Sequence, residues 1–267
     1  MEALSPCDLF EEPDVSHLVT EDDEPVDSVF SEKQMRLLTS TLLESWKPGR
    51  PFVALANVGL FPIPQNPALV PDVMVSLGVT LPEDIFKKGN RSYMVWRYGK
   101  PPDLVIEIVS NRTGGELDKA GRYAEMGVSY YVVFDPEHHL GGREVRAYVR
   151  HGSHFVDLLD PTWIEDLGLG LRVWEGTFED MEGRWLRPCE EEGNLLPTPA
   201  ETAEAARIQA EEAQAEAEAA RIQAEEAQAE AEAAQAEAEA ARSRSAALEA
   251  ENERLRARMR ELGLQDL

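Results

Sequence analysis

The chain has 267 residues and a formal net charge of −25, and its charge is unevenly distributed. Residues 1–30 carry 10 acids and no Lys or Arg, residues 196–267 carry 17 acids against 8 arginines, and residues 31–195 carry 24 acids against 18 basic residues. Two cysteines exclude a disulfide framework, and the lack of a long apolar run excludes a membrane-spanning helix. We expect a cytoplasmic protein with one core flanked by two acidic extensions.

The N-terminal part of the chain predicts a leader followed by a helix. Residues 1–28 are acidic and contain scattered prolines, so we expect them to be disordered and to lack a secretory signal. A helix is predicted from Ser31, as its cap, to Trp46. Glu32 in its first turn is a candidate accessory acid, although an exposed helix acid is the more ordinary interpretation.

Two short apolar segments follow the helix. Residues 51–61 predict one or two strands, and a proline-rich loop follows them. Residues 69–77, LVPDVMVSL, predict a further strand with Asp72 near its start. A Pro-Asp turn is the ordinary interpretation of Asp72. The alternative is a functional acid, because the next strand also carries a single carboxylate in an apolar run.

The stretch 82–100 concentrates basic and aromatic side chains. A solvated loop is the ordinary interpretation. The functional alternative is an edge that follows phosphates and stacks on bases. The side chains concerned are Lys87, Lys88, Arg91, Arg97 and Lys100, interleaved with Tyr93, Trp96 and Tyr98.

The stretch 101–136 is the centre of the predicted core. Its strand 103–109 places Glu107 between two valines on one face, because side chains alternate along a strand. A carboxylate buried there must be protonated, paired or bound to a metal, since leaving it unpaired costs several kcal/mol. Asp72 and Glu107 on adjacent strands form a pair that can share one Mg²⁺.

The rest of this stretch predicts a crossover connection. A helix is expected over 116–126 and ends at Gly127, and a second apolar strand follows over 130–134. A strand, a helix and a second strand within 101–136 indicate two parallel strands of an α/β sheet. A hairpin with its turn at Gly152 follows, and residues 167–185 add two short strands, or one strand and a loop, to the core. Residues 191–200 are expected to be a linker.

The C-terminal region, 201–267, is rich in Ala and Glu and predicts a coiled coil. Residues 205–218 and 219–232 are identical, and a repeat of 14 residues corresponds to two heptads. Farther on, leucines recur every seven residues, with Asn252 at an alternate position that favours a parallel dimer. A single charged helix that does not self-associate is the alternative. The leucines are Leu248, Leu255 and Leu262.

Four segments resemble one family of bacterial enzymes. They are Pro71-Asp72-Val73, the run from Pro102 to Ser110, Lys119 four residues before Tyr123, and the run from Val132 to Pro136. Together they are similar to the Uma-two family of restriction-type endonucleases in the PD-(D/E)XK nuclease superfamily.

The resemblance implies a fold and a set of site residues. Over 29–190 it implies an α/β, restriction-endonuclease-like mixed β-sheet flanked by helices, with Asp72 and Glu107 as ligands of Mg²⁺ or Mn²⁺. The sequence departs from the superfamily signature, because Val109 stands two residues after Glu107 in place of lysine. The resemblance implies that Lys119, from the next helix, supplies this lysine. Asp103, Ser110 and Tyr123 are candidate accessory residues, together with Glu32.

We therefore expect a metal-dependent endonuclease that hydrolyses DNA and dimerises through 201–267. A catalytically inactive nucleic-acid-binding or scaffold protein that acts through the coiled coil is the alternative. A phosphoesterase for small nucleotides is a third possibility, and the lack of a glycine-rich phosphate loop disfavours it.

Overall fold

A computed structural model describes residues 28–65, 67–110, 115–158, 160 and 163–261, so the predicted leader lies outside the described residues except for Ser28. In this part of the chain, no helix is both long and apolar enough to cross a membrane. The helices are α1 Val29–Ser45, α2 Val95–Tyr98, α3 Gly115–Met126 and α4 Pro199–Glu261. The strands are β1 Phe52–Ala56, β2 Leu60–Phe61, β3 Val73–Leu77, β4 Tyr93–Met94, β5 Leu104–Ile108, β6 Tyr130–Phe134, β7 Val145–His151, β8 His154–Asp157, β9 Gly170–Phe178 and β10 Met181–Cys189.

The centre of the fold is a six-stranded mixed sheet with the strand order β1-β3-β5-β6-β7-β8. Strands β5 and β6 are parallel, and every other neighbouring pair in this sheet is antiparallel. The single parallel pair is joined by α3, as a crossover connection requires. The predicted α/β class with a mixed sheet and flanking helices is confirmed.

The crossover helix α3 ends where the sequence predicts. Gly127 has a φ of +96°, in the left-handed region that side chains with a Cβ rarely adopt. The amide of Val128 then donates to the carbonyl of Tyr123 at 3.1 Å, which closes the last turn. This sharp end allows the chain to enter β6 directly.

The two faces of the sheet bury different sets of side chains. Leu104, Ile106 and Ile108 of β5 pack on the α1 side, in a cluster that also contains the helix residues Met35, Leu38 and Leu42. Val105 and Val109 face the other way and pack with Tyr123 of α3. Glu107 alternates in step with these valines along the strand, so its side chain projects toward the α3 side.

Helix α1 begins earlier than predicted. The predicted cap, Ser31, is inside the helix, and the cap is Ser28, whose Oγ accepts the Ser31 amide at 3.0 Å. Both serines fit the capping preference, and the tertiary contacts of Phe30 with Phe134 and Trp185 favour the earlier start.

Gln34 joins α1 to β10. Its side chain is fully buried, and its amide donates to the Leu186 carbonyl at 2.8 Å and accepts the Leu186 amide at 2.9 Å. We expect Gln34→Ala to lower the free energy of unfolding by about 2–4 kcal/mol, because it leaves two buried backbone groups unpaired. Urea denaturation measures this change. Arg36→Ala, which removes exposed ion pairs on the same helix, should cost less than about 1 kcal/mol, and equal losses in the two variants would contradict the assignment.

Strands β9 and β10 form a separate two-stranded ribbon, and both are longer than the short strands predicted there. The segment 191–200, expected to be a linker, is partly packed into the domain. Leu196 and Thr198 are buried, and Arg187 of β10 donates to the Leu196 carbonyl at 2.8 Å. The Thr198 side chain and Glu201 cap each other's backbone amides at the start of α4.

The chain divides into two compact units, one ending at Thr202 and the other covering Ala203 to the end. The second unit consists, in its described part, of helix α4 from Ala203 onward. The whole helix has 63 residues, and none of them is buried. Its apolar side chains are therefore exposed within the single chain, among them Ile208, Ile222, Leu248, Leu255 and Met259.

Candidate active site

Asp72 and Glu107 lie opposite each other on neighbouring strands. Strands β3 and β5 pair Val73 with Ile106, and the same register places Asp72 opposite Glu107. Residues directly opposite in an antiparallel pair project from the same face. An Asp72 carboxylate oxygen also accepts the amide of Ile108 at 2.6 Å, which holds the side chain against β5.

Glu107 is almost completely buried, with an exposed fraction of 1%. The Tyr123 hydroxyl donates to its Oε1 at 2.7 Å, and the Lys119 ammonium donates to its Oε2 at 2.9 Å. Both donors come from α3, where residues four apart lie on one helix face. The crossover helix therefore brings two hydrogen-bond donors to the one buried carboxylate of β5.

The protonation of Glu107 reflects this environment. Burial, followed by the nearby charge of Asp72, raises the pKa of Glu107 to about 7, against the lowering effects of Lys119 and Tyr123. Burial also raises the pKa of Tyr123, and Glu107 raises it further. The tyrosine therefore stays protonated and acts as a donor.

Lys119 is partly exposed, with 36% of its side chain accessible. Burial lowers the pKa of Lys119, but Glu107 and Asp72 raise it by more, so the net direction is upward. A lysine whose pKa is raised stays charged near neutral pH. Its available role is electrostatic, because a protonated amine cannot accept a proton.

The donor set of this site fits a divalent cation. Two carboxylates face each other across a strand pair, and their mutual repulsion raises the pKa of Glu107. A bound cation would relieve that repulsion. Within the described ranges, no group of three or more His, Cys, Asp or Glu side chains could hold a metal. A pair of carboxylates completed by water and phosphate oxygens is the arrangement typical of Mg²⁺.

The accessory residues are distributed differently. Tyr123 lies in the site, while Asp103 lies at the other end of β5, where its carboxylate accepts the Leu77 amide at 2.7 Å and the Lys100 ammonium at 2.5 Å. Ser110 is half-buried just beyond the end of β5. Glu32 is exposed on α1, on the opposite face of the sheet, and binds Arg36 at 3.0 Å. The structure does not bring Glu32 or Asp103 to the carboxylate pair.

Three aromatic side chains of the stretch 82–100 take part in packing, and Trp96 and Tyr98 are half-buried. Tyr93 is fully buried, and its hydroxyl lies 2.8 Å from the Ser76 hydroxyl. Tyr98 stacks on it with 4.1 Å between ring centroids, and Trp96 packs against Phe61 and Met94. The interpretation that Tyr93 stacks on a base is therefore wrong, because its ring is buried in the core.

Glu116 is a residue that the sequence analysis did not single out. It lies one helical turn before Lys119, is buried, and raises the pKa of Lys119. One of its carboxylate oxygens has no hydrogen-bond partner among the residues that the structure describes. Its spacing of three residues from Lys119 on the predicted helix was the signal that could have indicated it.

Comparisons with known proteins give one family match and one solved structure. A family profile described as "Putative restriction endonuclease", Uma2, matches residues 22–168. A solved structure described as a putative nuclease belonging to DUF820, from Anabaena variabilis ATCC 29413, is 17% identical, with a TM-score of 0.36, over 52% of this chain and 72% of that chain. No curated protein matches the chain.

The profile match covers more than half of the chain, including β3, β5 and α3 with the carboxylate pair and its lysine. On that match, the chain belongs to the Uma2 family, which is described as putative restriction endonuclease.

Proposed function

We propose that the chain is an endonuclease that uses Mg²⁺ or Mn²⁺ to hydrolyse phosphodiester bonds of DNA. The observation that supports this most directly is the contact of 2.9 Å between Lys119 and Glu107, opposite Asp72. Two carboxylates and an ammonium group are the side chains that metal-assisted phosphodiester hydrolysis uses. Membership of a nuclease family supports the same reaction class.

Each residue has a separate role in this proposal. Asp72 and Glu107 would hold the cation, which would polarise the phosphodiester as a Lewis acid and lower the pKa of the attacking water. Lys119 orients that water and stabilises the negative charge that develops on the phosphate oxygens. Tyr123 positions the Glu107 carboxylate through its hydrogen bond of 2.7 Å.

Cleavage of a mixed panel of supercoiled plasmid and single-stranded DNA tests the proposal. Cutting with Mg²⁺ or Mn²⁺, its loss with a chelator and its return with excess cation are the expected results. Cutting that persists in the chelator would contradict metal dependence. The absence of cutting under every condition would contradict the nuclease proposal. We propose that the protein acts in the cytoplasm.

We also propose that the chain dimerises through helix α4. Leu248 and Leu255 are separated by seven residues, and more than half of each side chain is exposed in the single chain. Asn252 lies at the alternate core position, which favours a parallel pair in register. A dimer would bring two single-cut sites to one duplex.

Lysines at the core positions of the helix pair, Leu248 and Leu255, should dissociate the dimer. We expect Leu248→Lys with Leu255→Lys to convert a dimer into a monomer in analytical ultracentrifugation, because lysines facing each other across the seam repel. Ala250→Lys with Ala257→Lys adds the same charge at outward positions of the same heptads, and the dimer should persist. A monomeric unsubstituted chain, or equal dissociation of both variants, would contradict this interface.

A second candidate is a catalytically inactive nucleic-acid-binding or scaffold protein that acts through α4. The observation that favours it is charge: residues 31–195 carry 24 acids against 18 basic residues, whereas a DNA-binding domain usually has a basic excess. DNA binding without cutting in the panel above would select this candidate.

A further inference from the structure

A concave surface lies beside α3. Its volume is about 450 Å³, and its lining residues are Pro62, Pro67, Leu69, Arg122, Glu125 and Met126. This volume falls within the range of roughly 300–1,000 Å³ that is typical of small-ligand sites. The cavity can therefore accommodate one planar heterocycle.

The two charged residues of the cavity are not paired with each other. Arg122 and Glu125 are exposed, lie three residues apart on α3, and make no side-chain hydrogen bond or ion pair with any described residue. Opposite charges at this helical spacing commonly pair. Arg207 and Glu204 do so on α4 at 2.6 Å. The guanidinium and the carboxylate of the cavity are both available to a ligand.

The remaining lining is apolar. Two prolines, a leucine and a methionine present flat or adaptable surfaces, which suit the face of an aromatic ring. A ring that fits must also offer acceptors to Arg122 and a donor to Glu125. Guanine has this pattern, with O6 and N7 as acceptors for a bidentate arginine and an N2 amino group as a donor.

The position of the cavity relates it to the carboxylate pair. Arg122 lies one helical turn beyond Lys119 on α3, and Leu69 lies three residues before Asp72. Three residues of chain span at most about 11 Å. A base in the cavity would therefore belong to a nucleotide close to the phosphodiester at Asp72 and Glu107.

We infer that this cavity binds a guanine base displaced from the stack, next to the phosphodiester that is cut. Arg122 donates to O6 and N7, Glu125 accepts from the N2 amino group, and the apolar lining covers the ring faces. The location of this base beside the cut rests on the proposed endonuclease function, while the preference for guanine does not require cleavage.

Selection from a random DNA library tests the inference by binding alone. Full-length Glu107→Gln protein is mixed with single-stranded and duplex oligonucleotides, and the bound and free fractions are sequenced. We expect guanine to be enriched at one position by roughly tenfold, as for other bidentate arginine contacts. Arg122→Ala and Glu125→Ala, each added to this protein, should remove most of that enrichment. Glu125→Ala should not weaken total DNA binding, because it removes a negative charge.

Arg50→Ala is the matched control. Arg50 lines a different cavity with Asp103 and Tyr130, which precede or begin strands β5 and β6, whereas Glu107 lies near the far end of β5. This substitution removes the same charge and should leave the guanine enrichment intact. Thermal melting of each variant checks that the domain remains folded.

Three results would overturn the inference: no guanine enrichment at any position, enrichment that survives both cavity substitutions, or a loss of affinity in Arg122→Ala that is equal for all bases. The last result would identify Arg122 as a phosphate contact. Cleavage of the plasmid panel by the unsubstituted chain reports the proposed function separately. A guanine preference in a chain that does not cut would support guanine binding in the cavity and contradict the nuclease proposal. Cutting without a guanine preference would support the nuclease proposal and contradict guanine binding in the cavity.

Discussion

Glu107→Gln should lower metal-dependent DNA cleavage by roughly 10³-fold or more, because it replaces a metal-binding carboxylate by a neutral amide of nearly the same shape. Glu107 is the buried member of the carboxylate pair, so a water molecule is poorly able to replace its oxygen. Plasmid nicking rates with Mg²⁺ and with Mn²⁺ measure the change. Cutting that survives in the variant would show that the reaction takes place elsewhere.

A stability measurement separates loss of chemistry from loss of folding. The folded-state pKa of Glu107 is raised from 4.5 to about 7, so its contribution to stability is fully present below about pH 4.5 and is lost as the pH rises through 7. The metal-free protein should therefore lose stability relative to Glu107→Gln across this range. At pH 8, the variant should melt at the same temperature as the unsubstituted chain or higher.

Added Mg²⁺ should reverse this order. A cation that binds only the folded state raises the melting temperature in proportion to its occupancy. We expect the unsubstituted chain to be stabilised at pH 8 and Glu107→Gln to be nearly unaffected. Equal responses of the two proteins to Mg²⁺ would contradict the assignment of Glu107 as a ligand, whatever the cleavage assay shows.

Lys119→Ala should lower the cleavage rate by about 10²–10³-fold, with a smaller effect on DNA affinity. The ammonium group is charged and fixed to Glu107 at 2.9 Å, so its removal takes away a preorganised cation from the reacting phosphate. Single-turnover rates at saturating protein measure the chemical step. A rate that changes less than the dissociation constant would indicate a role in binding only.

The pH profile of cation binding provides an independent measurement for Lys119. Because Lys119 lowers the pKa of Glu107, its removal should shift the midpoint for cation binding to higher pH. Tyr123→Phe is the comparison variant: it removes a hydrogen bond that also lowers the pKa of Glu107 but leaves the charge unchanged, so its shift should have the same direction and be smaller. Lys119→Arg should retain more activity than Lys119→Ala. An unchanged midpoint in Lys119→Ala would contradict the electrostatic coupling.

Local patterns predicted the parts of the domain that depend on short-range physics. The alternation of side chains in 103–109 correctly places Glu107 away from the α1 side, because a strand has a period of two residues. The helix before Gly127 is also correct, because only glycine adopts its φ of +96° easily. The start of α1 was misplaced, since two serines fit the cap and tertiary packing selects between them.

The sequence could not decide which of the candidate site residues lie close together in the fold. Glu32 and Asp103 are acids in favourable local positions, yet α1 packs on the other face of the sheet and Asp103 binds Lys100. Tyr93 has an aromatic ring that could stack on a base, but the ring is buried in a hydrophobic cluster of the core. Each outcome depends on contacts between residues distant in the chain, and no local period describes such contacts.

The sequence by itself determined the strand–helix–strand crossover, the buried carboxylate of β5, the helical C-terminal region and the family, because each depends on local periodicity or on a contiguous motif. Only the tertiary structure decided that Asp72 lies opposite Glu107, that Lys119 and Tyr123 both reach that carboxylate, and that Arg122 and Glu125 share a cavity. Strand register and helix packing are set by burial of the whole core, and a shift of one residue would turn the carboxylates to the other face.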